Sequence, residues 1–196
     1  MKSKVLSLIL AVCTLCSLLV SPASAVGGDS AVQMVQALGI LDGTDLESPV
    51  TRAEFSKMLV AASSYKDSVS SEGSGYSLFR DVKSSYWASE YIRCAVSEGW
   101  MTGYTDGTFR PETGISREQM AAILYRYAAQ KGGDMSAAIS LDAFSDASRV
   151  SGFAAEAVRW AVGRQLLSGI GAGMLDPQGY ATRAQVAVVL MRFAAS

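Results

Sequence analysis

The sequence predicts an all-α protein, a helical bundle made of three helix-loop-helix repeats, and three observations carry that prediction. The tetrapeptides TRAE, SREQ and TRAQ begin at Thr51, Ser116 and Thr182, so that Arg52, Arg117 and Arg183 recur at intervals of 65 and then 66 residues. Each tetrapeptide runs into an apolar stripe of helical period. Each is preceded by a short apolar run that Gly43, Gly103 or Gly169 closes. Repetition on this scale marks units too small to bury an apolar face alone, which must pack against one another.

The amino terminus is set apart by composition. Lys2 and Lys4 precede an apolar run over 5–20, and Ser21-Pro22-Ala23-Ser24-Ala25 follows. A charged start, a short apolar run and an Ala-x-Ala-like end predict a signal peptide over 1–25. The apolar run falls short of the ~20 residues that a spanning helix needs, so no membrane partner is expected after cleavage. Cys13 and Cys16 would leave with it. Cys94 then stands alone in a secreted chain, on a helix among apolar residues, and is read as a buried structural thiol.

What remains, 26–196, carries 15 basic and 18 acidic side chains, which offers nucleic acid no basic surplus. The 196-residue chain contains no histidine. That removes the commonest general base and metal ligand. No carboxylate pair stands out in their place, so the reading is of a protein that is not an enzyme and uses no cofactor or metal.

The repeats are placed at about 29–65, 77–130 and 142–196 of one domain, and their elements follow in order. Phe79-Arg80-Asp81 aligns with Phe144-Ser145-Asp146, and the helical stretches 88–96 and 154–162 align behind them, with Trp87 opposite Phe153. The first repeat lacks this entrance and opens on a helix over 31–41. The glycine after each first helix is read as its C-terminal stop. Loops with Asp-Gly at 106–107 and prolines at 111 and 177 come next, marking tight turns and an extended leg. The first loop is shorter, with nine residues from Gly43 to Arg52 against fourteen in the others. The second helices are predicted over 52–63, 117–129 and 183–195. Their stripes include Phe55, Met58 and Leu59, then Met120, Ile123 and Leu124, then Val186, Val189 and Leu190. The polar linkers 66–77 and 131–140 are expected to be exposed.

The start of each second helix raises a question of charge. Ser or Thr followed three residues later by Glu or Gln is a capping box, worth about 1 kcal/mol. The intervening arginine stands at the first helical position, where the dipole favours an acid. Two explanations fit a cation recurring there. It joins the free amides in holding an imported anion, or it pairs with an acid of a neighbouring repeat such as Asp81 or Asp146.

Phe79-Arg80-Asp81, Trp87-Ala88, Gly99-Trp100-Met101-Thr102-Gly103, Asp106-Gly107-Thr108-Phe109-Arg110-Pro111 and Ile115-Ser116-Arg117-Glu118 together resemble the S-layer homology motif. The third repeat departs from it at Phe153, Gln165 and Ala172, and the first matches only in its helix, Gly39, Gly43 and Thr51-Arg52-Ala53-Glu54. The resemblance implies a pseudo-threefold spindle with grooves between its prongs. It also implies a wall-binding module at the bacterial surface, whose partner is a secondary cell wall polysaccharide, often pyruvylated. The ligand contacts it implies are Arg52, Arg117, Arg183, Asp81, Asp146 and the ring of Trp87, with Gly103 and Gly169 where backbone approaches sugar. Trp87 has a plainer reading as core, and Asp81 as a helix cap or arginine partner. The alternative function is a structural surface-layer or assembly protein that oligomerises or tethers other surface proteins.

Overall fold

The computed structural model describes residues 32, 33, 36, 45–63, 77–136 and 138–195. The expected signal peptide and the linker over 66–76 lie outside these residues. So does most of the expected first helix, of which Val32, Gln33 and Gln36 are helical. Among the described residues the protein is all-α: α1 Arg52–Ala62, α2 Ser89–Ser97, α3 Arg117–Gln130, α4 Ala155–Gly163 and α5 Arg183–Ala195. Short 3-10 turns at Ala147–Arg149 and Gly152–Ala154 lead into α4. The linker after α3 is exposed over most of its described length.

The three long helices begin as their sequences require. Thr51 Oγ1 accepts from the Glu54 amide while Glu54 returns to the Thr51 amide. Ser116 and Gln119 repeat the pattern, as do Thr182 and Gln185.

The residues just before the caps meet in a closed ring of backbone hydrogen bonds. The Val50 amide donates to Ala181 O at 2.9 Å, Ala181 to Ile115 O at 2.9 Å, and Ile115 to Val50 O at 2.8 Å. All three side chains are fully buried. Each helix also passes its first amides to the next unit: Arg52 to Thr113 O, Arg117 to Gly179 O, and Arg183 to Ser48 O. One position on, Ala53 donates to Pro111 O, Glu118 to Pro177 O, and Ala184 to Leu46 O. The orphan donors that every helix start carries are thereby satisfied between units.

Around this ring the apolar stripes form one core. Phe55, Met58, Leu59, Met120, Ile123, Leu124, Val186 and Val189 are buried, as are the short-helix residues Ile92, Val158 and Trp160 and, just beyond α2, Trp100. The Trp100 ring packs tilted against Tyr127, with centroids 4.8 Å apart, and Tyr127 meets Phe193 edge-on at 5.6 Å. Cys94 is buried too, and burial raises its thiol pKa.

The expected glycine stops are corrected. The left-handed residue that ends α2 is Gly99, at φ +74, and the one that ends α4 is Gln165, at φ +58. Gly103 and Gly169 are glycine for another reason, which is close packing. A Cβ on Gly103 would stand 2.1 Å from the Phe79 ring and 2.9 Å from the Thr108 carbonyl; one on Gly169 would stand 2.9 Å from the Met174 carbonyl. Gly43 lies outside the described residues. Gly103→Ala is therefore expected to destabilise the protein by about 1–3 kcal/mol. Gly152→Ala, with nothing near its added Cβ, should have a much smaller effect in the same urea titration.

Candidate functional site

The entrance acids hold the loops. Asp81 accepts from the amides of Phe109 and Arg110 at 2.8 and 2.7 Å, and Asp146 accepts from Leu175 and Asp176 at 2.8 Å each. These bonds, the Leu175 amide first, keep the Asp146 carboxyl below its ordinary pKa. The loop so fixed turns its carbonyl to the arginine of the preceding unit. Arg52 Nε donates to Phe109 O at 2.8 Å and its Nη2 to Thr102 O at 2.8 Å. Arg117 does the same to Leu175 O at 2.9 Å and Ser168 O at 2.5 Å. Asp81 and Asp146 are thus linked to the arginines through a peptide unit.

Arg52 and Arg117 differ from both sequence explanations, and Arg183 fits the pairing one through an acid other than those named. Arg52 and Arg117 are each 4% exposed, and among the described residues neither has a carboxylate within ion-pair distance. Arg183 does form an ion pair, but with Glu54. Nor are free helix amides available to an anion, because the first amides of each helix are already bonded to the next unit or to the cap. The fold asks for arginine because a planar donor fork can reach two carbonyls at once.

One face of this clamp opens into a groove of about 660 Å³. Arg52 and the loop from Thr102 to Thr105 form one wall, α3 supplies Gln119 and Arg126, and the third unit contributes Phe153 and Glu156. The Arg52 guanidinium lies 4.5 Å from the Phe109 ring centroid and 5.1 Å from that of Tyr104. Burial lowers the pKa of Arg52 and of Arg126, and for Arg52 the nearby charges of Arg110 and Arg126 add to the shift while Tyr104 and Asp81 oppose it. Arg126 donates from Nε to Ala122 O at 3.0 Å. Glu156, the acid on this wall, accepts from Tyr125 Oη at 2.8 Å. Two cations, an amide and exposed aromatic surface thus share one recess.

Residues 78–121 and 143–187 each match the S-layer homology domain. The chain belongs to the S-layer homology family. An endoglucanase of Bacillus sp. (strain KSM-635) is 35% identical over 72% of this chain and 14% of its own length. Cell surface glycoprotein 1 of Acetivibrio thermocellus is 36% identical over 74% of this chain and 6% of its own. A cellulosome-anchoring protein of the same organism is 34% identical over 41% and 18%. The chain spans less than a fifth of the length of these relatives.

The two matched S-layer homology segments contain Asp81, Trp87, Gly103, Arg117, Asp146, Gly169 and Arg183; Arg52 lies before them. Of the residues anticipated as contacts, Arg52 and Gly103 line the groove. Phe153 lines it at the position aligned with Trp87 and is 66% exposed. Trp87 itself is 53% exposed, against Tyr86 at 5.6 Å, so the core reading of that ring is corrected. Sequence reasoning missed Arg126, Tyr104, Tyr125 and the second role of Gln119. The signal for Arg126 was present: it follows Gln119 by seven residues on one helix face and recurs 66 residues on as Arg192.

Two outcomes follow from the clamp. Arg117→Ala leaves the carbonyls of Leu175 and Ser168 without their donors, and should cost on the order of 2–4 kcal/mol in denaturant unfolding. Asp146 has a lowered folded pKa, so its contribution to stability is present above the ordinary carboxylate pKa of ~3.9 and is lost as pH falls through the folded value. The melting-temperature advantage of the wild type over Asp146→Asn should accordingly be full at pH 7 and shrink progressively below pH ~4.

Proposed function

We propose that this protein is a non-catalytic module that anchors to the bacterial cell wall by binding an anionic saccharide in the groove beside Arg52. The observation that carries the reading is the placement of Arg52 and Arg126 in one recess with Gln119, Tyr104 and Phe153. Paired guanidiniums favour a carboxylate through charge-assisted hydrogen bonds, and exposed rings give a sugar a flat apolar face to lie on. A pyruvylated secondary cell wall polysaccharide combines both properties. Its ketal carboxylate would meet the arginines and its pyranose the aromatic wall.

The relatives support the anchoring role at a coarser level, since they include a cell surface glycoprotein and a cellulosome-anchoring protein. The first unit is read as a third, shortened copy of the S-layer homology motif, on the strength of its capping box, built like the other two, and its place in the ring. Asp81, Asp146 and Gly169 are assigned to shaping the grooves, and Trp87 to an aromatic wall like that of Phe153. The processed, secreted chain would act at the cell surface.

Binding to purified sacculi tests this. The chain over 26–196 should co-sediment with native walls and lose that retention when the ketals are removed by mild acid. Retention on polymer-stripped peptidoglycan would overturn the proposal. Arg126→Ala, which removes a partly buried side chain outside the clamp, should weaken binding about tenfold, equivalent to roughly 1.4 kcal/mol, with little change in melting temperature.

A further inference from the structure

The residue three places after each cap has a second task that distinguishes the grooves. In every helix start one side-chain oxygen of this residue accepts from the cap amide: Glu54 Oε2 from Thr51 at 2.8 Å, Gln119 Oε1 from Ser116 at 3.4 Å, Gln185 Oε1 from Thr182 at 3.3 Å. The remaining atom, an oxygen in glutamate and a nitrogen in glutamine, is what differs. In Glu54 that atom is another carboxylate oxygen, and it accepts from Arg183 Nη2. In Gln119 it is an amide nitrogen, which cannot accept from a guanidinium and instead donates to Tyr104 Oη at 3.3 Å. Gln185 has only its cap oxygen to share, and Arg117 Nη1 reaches it at 3.4 Å.

A carboxylate can thus serve the cap and the arginine together, whereas an amide can serve only the cap well. Arg52 is left with neutral carbonyls and ring faces, and Arg126 as a second cation in the same recess. Arg183 has a carboxylate supplied from within the chain.

We propose that the glutamate-or-glutamine choice at this position decides which grooves accept an anionic sugar: Gln119 leaves the Arg52 groove open to a carboxylate, and Glu54 occupies the corresponding place at Arg183 with the protein's own. The charge of Arg183 is thereby answered within the chain. Glu54 is a specificity-determining residue, and what it excludes is the acidic substituent of the ligand rather than the sugar ring. This inference rests on the anionic-saccharide reading of the groove.

The two exchanges Glu54→Gln and Gln119→Glu test it, and neither endangers the cap, because each places at one helix start a residue that already fills the capping box at another. The probe is the methyl glycoside of 4,6-O-pyruvyl-N-acetylmannosamine, titrated calorimetrically into the chain over 26–196, with unsubstituted methyl N-acetylmannosaminide as the neutral control. Glu54→Gln should raise the stoichiometry for the acidic probe by one site, and Gln119→Glu should lower it by one or weaken that site more than tenfold. An unchanged stoichiometry in both variants, with the wild type binding the probe, overturns the assignment of Glu54 and Gln119 while leaving the groove's function standing. A wild type that binds neither probe overturns the anionic-saccharide reading itself. Equal gains for the acidic and neutral probes on Glu54→Gln would overturn the claim that exclusion is by charge.

Discussion

The fold depends on how three helix starts are joined. Each has donors with no partner inside its own helix, and a small unit has no spare acceptor to offer them. The ring through Val50, Ile115 and Ala181, with the amides passed from each start to the next loop, meets that need collectively. It also fixes the register of the units, because a loop must present carbonyls to a neighbour's amides and guanidinium at once. Asp81 and Asp146 take the amides on the far side of those loops, so that the loop peptides are held from both directions.

The groove follows from this junction. A loop pinned between an aspartate and an arginine leaves one wall rigid, α3 supplies another, and the short helix of the third unit completes it. Binding surfaces assembled from several elements need such support to keep their geometry. The arginine is both part of the support and part of the lining. A ligand that binds only the folded chain would therefore stabilise it by mass action, and here it would do so at the joint between units.

Most of the fold could be read from the sequence because its signals are local. Capping boxes, apolar periodicity and the 65-residue recurrence place α1, α3 and α5 almost to the residue. What misled was any inference that needed a partner across the chain. Gly103 looks like a helix stop when only its neighbours in sequence are considered, and its cause is the Phe79 ring, 24 positions away. The stop in the third unit is Gln165, which no propensity would nominate for φ +58. Arg126 escaped notice because an arginine on an amphipathic helix reads as solvated surface until it is seen to line one groove with Phe153 and Glu156 of the third unit.

The arginines show where the physical argument must be rebuilt rather than scored. A cation at a helix start opposes the dipole, and an anion seemed required to explain it. The buried guanidiniums of Arg52 and Arg117 are instead answered by carbonyls, whose partial negative charge offsets part of the cost of burial but leaves a full positive charge in place. Neutral acceptors satisfy hydrogen-bonding geometry without neutralising charge, whereas a carboxylate does both. Where the chain supplies that carboxylate, as Glu54 does for Arg183, the electrostatic demand is closed internally. Where it supplies Gln119, the Arg52 guanidinium keeps only neutral hydrogen-bond acceptors beside a recess of about 660 Å³. On the proposal made above, the same recurring residue is purely structural in one unit and receptive in another, the difference resting on one oxygen exchanged for one nitrogen in the facing side chain.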